Sequence, residues 1–145
     1  MSQITEITLE RFPDMQYEPL IPYALILKSN GIATYLGANA SRHGTFTALL
    51  KPGEFQRLAQ RLDKAGFFQL EDFYGPSAFD IPEIWLSAVK DSKRKRIVDT
   101  AVKEKYRAQA PRVLQELEDV LHKLSQQLPW KKVHNDYHWP DTTPT

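Results

Sequence analysis

Val113, Leu114, Leu117, Val120, Leu121 and Leu124 follow Pro111 at three- and four-residue spacing. That rhythm predicts an amphipathic helix with one apolar stripe, and a stripe must be covered by another layer. A second stripe, Phe55, Leu58, Ala59 and Leu62, follows Lys51-Pro52-Gly53-Glu54, where the apolar period changes from two to about 3.6. Proline is tolerated in a first helical turn, Glu54 favours the positive end of the dipole, and Gly66 suits the left-handed residue that stops a helix. Two helices with one stripe each call for a sheet face.

Strands to build that face come before and between the helices. Thr5, Ile7 and Leu9 alternate with Glu6, Thr8 and Glu10, a half-buried strand. The segment from Phe12 to Pro22 contains Pro13, Pro19 and Pro22 and reads as an irregular loop. Tyr23 to Lys28 is almost wholly apolar, Ser29-Asn30-Gly31 supplies a tight turn, and Ile32 to Leu36 continues as the partner strand. Thr45 to Leu50 completes a three-strand meander. Glu83 to Val89 and Lys95 to Val102 form a second hairpin around Lys90-Asp91-Ser92. The expected fold is α+β: an antiparallel sheet built from a strand, a three-strand meander and a hairpin, with both helices packed on one face. Residues 1–133 form a single domain in this reading, and residues 134–145 a loosely ordered tail that lacks core-forming periodicity.

Composition narrows the class. A chain of 145 residues buries roughly 70% of its unfolded surface, enough for one core without staples. Zero cysteines exclude disulfides and thiolate chemistry and fit the cytoplasm. No apolar run is long enough to cross a bilayer, and the first residues lack the basic and apolar regions of a signal peptide. The net charge of +1 gives no general attraction to nucleic acid or anionic membrane.

Gly66-Phe67-Phe68-Gln69-Leu70-Glu71-Asp72-Phe73-Tyr74, then Asp80-Ile81-Pro82, link the first helix to the second hairpin. With Glu10-Arg11, Pro22-Tyr23, Asn30-Gly31, Tyr35, Gly37, Gly44, Pro111, Leu114, Leu117, Glu118 and Leu121, they resemble the pattern of a bacterial family of unknown function, domain-of-unknown-function family 6438, from about Ile4 to Leu128. Many members of that family carry a cysteine pair before the proline-tyrosine motif and begin with a secretion or lipoprotein signal. This chain has neither feature. The resemblance therefore implies an intracellular member, and it implies no catalytic residues, because the family has no established activity.

Candidate site residues are few. Asp72, Tyr74 and Asp80 would place two carboxylates and a phenol near a sheet edge, where they could exchange protons or hold a cation. The plainer role is to fix the loop, with the carboxylates accepting backbone N–H bonds and Tyr74 covering the core edge. Lys93-Arg94-Lys95-Arg96 is the one dense charge run, but alternation sends Arg94 and Arg96 to one face and Lys93 and Lys95 to the other, which argues against a nucleic-acid grip. Tyr23, in the proline-tyrosine motif, is a further binding candidate. His134, Asp136 and His138 have ligand chemistry, yet three ligands on a tail carry a large ordering penalty and a fourth is not evident, so no metal site or cofactor is assigned. No phosphate loop, nucleophile elbow or His-Glu-x-x-His motif occurs.

The functional expectation is a non-enzymatic binding module. A protein partner, engaged in the manner of an inhibitor or immunity protein, is expected on the sheet face away from the helices; the oligomeric state is not legible. The alternatives are a small hydrolase or metal-dependent enzyme using Asp72 and Asp80, and a small-ligand fold with its pocket between sheet and helices.

Overall fold

The computed structural model describes residues 3–13, 22–39, 42–77 and 81–145. In chain order its elements are β1 (Ile4–Phe12), β2 (Tyr23–Lys28), β3 (Ile32–Asn39), β4 (Arg42–Leu49), α1 (Glu54–Lys64), β5 (Phe73–Tyr74), β6 (Glu83–Lys90), β7 (Lys93–Asp99), α2 (Arg112–Gln127) and β8 (Lys131–His134). The strands form one eight-stranded sheet in the order β5-β7-β6-β1-β2-β3-β4-β8. The first strand of the chain sits in the middle, between the meander and the second hairpin.

The α+β architecture agrees with the reading of the sequence, with corrections. The sheet is mixed, because β5 runs parallel to β7 through Phe73 opposite Val98 and Tyr74 opposite Asp99. Two paired residues are too few to display a period. Strand β7 spans Lys93–Asp99, earlier at both ends than the expected Lys95 to Val102. Its turn is shorter too: Asp91 and Ser92 both adopt positive φ, the geometry of a two-residue hairpin loop. A short 3-10 helix at Glu104–Gln109 then leads into α2.

The core lies on one side of the sheet. Cross-strand pairs Ile7 with Leu27, Leu9 with Leu25, Leu25 with Tyr35, Leu9 with Leu86 and Leu86 with Ile97 place those side chains on a common face. Phe55, Leu58 and Leu62 of α1 and Leu114, Leu117, Leu121 and Leu124 of α2 join them in a single buried cluster. Val113 is the exception to the expected stripe, being exposed.

The opposite face has a different cover. The segment beyond Val133, expected to be loose, instead starts in strand β8, which pairs with β4. Gly44, at φ +117, permits this approach, since a Cβ there would collide with the His134 carbonyl. Beyond β8 the chain crosses the open face as a strap. Thr45 Oγ1 donates to the Asp136 carbonyl (2.7 Å), Trp139 Nε1 and Thr142 Oγ1 donate to Glu10, and the Thr145 amide donates to the Arg94 carbonyl (3.2 Å). Side-chain bonds hold this segment, which is why apolar periodicity gave no sign of it.

Candidate functional site

One polar row crosses the helix-covered face. Register puts Asp99 opposite Ile84, Ile84 opposite Arg11, and Arg11 opposite Tyr23, so their side chains stand side by side at one end of the sheet. Above this row runs α2, where Glu118 and His122, four residues apart, share a helix face. Between sheet and helix lies a cavity of about 260 Å³ lined by Arg11, Ile84, Asp99, Ala101, Val102, Arg107, Gln115, Glu118 and Asp119.

Glu118 is the unusual group of the cleft. It is 3% exposed, and its protonated carboxyl hydrogen-bonds the Asp99 carboxylate; no other described group meets its Oε2. Burial, reinforced by the neighbouring Asp99 carboxylate, pushes its pKa up to about 10, so it is neutral at pH 7. Asp99 is buried too, with Oδ1 accepting the Ala101 amide at 2.8 Å. A neutral carboxyl both donates and accepts hydrogen bonds, whereas an ionised one only accepts. The cleft therefore presents cationic donors in Arg11 and Arg107, carboxylate acceptors in Asp99 and Asp119, and the neutral Glu118.

Tyr23 continues the row. Its ring stacks on Tyr35 at 5.1 Å, and its hydroxyl lies 2.5 Å from His122 Nδ1. Burial pushes the Tyr23 hydroxyl up to about 12, so it keeps its proton, and the His122 tautomer sets which of the two groups donates. Burial, with repulsion from Arg11, holds His122 below its ordinary value. Ser125 Oγ closes this end, donating to the His122 carbonyl at 2.5 Å.

Of the residues nominated as sites from sequence, none lines the cleft; Tyr23 stands next to it, opposite Arg11. Asp72 lies on the surface, its carboxylate 84% exposed and 3.0 Å from Lys95 Nζ. The Tyr74 hydroxyl accepts the Glu71 amide at 2.9 Å. Asp80 lies outside the described residues. Arg94 is engaged by Glu6 and by Ser87 Oγ, and Arg96 stacks 4.4 Å over the Trp85 ring, so both guanidinium groups serve the strap-covered face. Among the described residues no three histidine, aspartate or glutamate side chains converge on a metal position.

Arg11, Asp99, Glu118 and His122 were missed as a site. Glu118 did leave a signal: it falls within the spacing of the apolar stripe, an acid on the inner face of a helix. Arg11 and Asp99 left none, because their meeting depends on the β1–β6–β7 register.

The fold is thus an α+β sheet with two helices on one face, a self-docked strap on the other and a polar cleft beneath α2. The chain belongs to the family described as Domain of unknown function (DUF6438), which matches residues 22–125. Tyr23, Asp99, Glu118 and His122 lie inside the match, whereas Glu10, Arg11 and the strap lie outside it. Among curated proteins, none matches the chain.

Proposed function

We propose that this protein is a non-enzymatic binding module whose ligand seat is the cleft beneath α2. The ligand is a small amphoteric molecule, with an anionic oxygen group for Arg11 and a hydrogen-bond donor for the carboxylates. The observation that carries this reading is the neutral Glu118 carboxyl, which forms a buried acid pair with Asp99 at the wall of a polar cavity. No helix of the described residues is long and apolar enough to cross a membrane. A cytoplasmic setting belongs to the proposal, supported by the cysteine-free composition.

The test is thermal unfolding against a panel of amino acids and small carboxylates, with Arg11→Gln and Glu118→Gln beside the parent. A subset should raise the parent midpoint, lose the effect in Arg11→Gln while keeping it in Glu118→Gln, whose amide donates and accepts as the neutral acid does, and be recovered chemically unchanged. If no compound acts, or the active ones act equally on the parent and Arg11→Gln, the cleft is not the seat. Consumption of an active compound would replace binding by catalysis.

A protein partner is the second reading, favoured by Ile32 and Leu49. These residues face each other across β3 and β4 on the open face and are 41% and 74% exposed. A partner captured by the parent protein and lost with Leu49→Asp supports it; equal capture by both removes it.

A further inference from the structure

We propose that the open sheet face is a peptide-recognition groove, filled in this chain by its own C-terminal segment, and that it accepts in trans a peptide carrying tryptophan-proline followed at the third position by threonine. The groove is centred on Glu10, which is fully buried in the central strand between Ala24 and Trp85. Each carboxylate oxygen is met once: Oε1 by Trp139 Nε1 at 2.7 Å and Oε2 by Thr142 Oγ1 at 2.5 Å. Both donors come from the strap. The anchor is therefore satisfied by the bound segment, while an empty groove would open it to water.

The walls of the groove suit an indole. Phe12 lies between two tryptophans, 4.8 Å from the Trp85 ring and 5.6 Å from Trp139. Arg96 covers Trp85 and reaches Thr142 Oγ1 at 3.4 Å. At the far end the Arg94 amide donates to Thr145 Oγ1 at 2.6 Å, and the Thr145 amide donates back to the Arg94 carbonyl.

The contacts recur at Trp139, Thr142 and Thr145, with Pro140 and Pro144 between them. Anchors three residues apart, with prolines that restrict the chain between them, let the segment dock on an aromatic groove with little loss of chain entropy. The residues between the anchors look after one another: the Thr143 amide and hydroxyl both donate to Asp141 Oδ1 at 3.0 and 2.6 Å. Recognition thus resides in a short segment that carries its own conformation, which is what allows a separate peptide to reproduce it.

Tethering gives the resident segment an effective concentration in the millimolar range, so it must be weakened before a competitor is seen. The experiment measures binding of a fluorescent peptide spanning residues 136–145 to the full chain carrying Trp139→Ala and Thr142→Val. Saturable binding is expected, about a hundredfold tighter than to the parent chain. It should be lost when the peptide carries the same two substitutions or the protein also carries Glu10→Ala. Failure of the peptide to bind the folded double variant overturns the proposal, as does binding indifferent to the peptide substitutions or to Glu10. Should the double variant not fold, Trp139→Phe, which keeps the ring and loses the indole N–H, answers the same question with the same outcomes.

Discussion

The sheet buries one glutamate on each face, and the two are treated in opposite ways. Glu10, under the strap, has both oxygens bonded by side chains that arrive from the far end of the chain. Glu118, on the inner face of α2, has another acid, Asp99, as the hydrogen-bond partner of its carboxyl. Both have pKa values raised by burial, so burial alone does not separate them. What separates them is the kind of partner. An acid met by neutral donors positions structure, and one paired with a second acid beside a cavity is a place for something else to bind.

Their covers differ as well. The helix-covered face is held by aliphatic packing, so the largest expected effect is there. Leu117→Ala should destabilise by about 2–5 kcal/mol, as buried large-to-small changes do. An unchanged urea midpoint would mean that α2 does not seal this face. The strap-covered face should lose less: Glu10→Ala removes one acceptor for each of two donors, with an expected loss of about 1–3 kcal/mol. The same substitution should raise amide exchange along residues 136–145. Loss of stability without that local signature would place the role of Glu10 elsewhere.

Glu118 should reveal itself through pH. Its folded pKa, about 10, lies above the ordinary value of 4.5, so between those limits the folded state holds a proton that the unfolded chain releases. Stability then falls as pH rises through that window, by at most about 1.4 kcal/mol per pH unit for one proton. Glu118→Gln imitates the neutral acid and should flatten the slope, becoming the more stable protein toward pH 9. Equal slopes in the two proteins from pH 5 to 9 would show that Glu118 is not held neutral. The smallest effect belongs to Asp72. Its pairing with Lys95 is surface-exposed, so Asp72→Ala should change stability by no more than about 1 kcal/mol. A larger loss would restore the loop-fixing role that the sequence suggested.

The legible parts of this protein were those written in short-range pattern. The stripe of α2, the left-handed Gly66 and the Asn30-Gly31 turn depend on neighbours within a few residues, and each appears where the pattern puts it. The split of the basic run was equally visible, because a strand alternates whatever surrounds it: Arg94 and Arg96 turn to the strap while Lys95 reaches the Leu70 carbonyl on the other side. The two-residue β5 and the strap lay below this threshold, one too short for a period and the other held by side-chain bonds.

Sequence alone determined that there would be two one-sided helices on a sheet, because hydrophobic periodicity is a local property with a compulsory partner. Tertiary structure alone decided which polar residues would meet. Glu10 finds Trp139 across nearly the whole chain, and Arg11 shares a row with Asp99, across Ile84, only because β6 inserts between β1 and β7. Such encounters are fixed by strand order and register, which no local spacing encodes, and both the cleft and the strap groove are made of them.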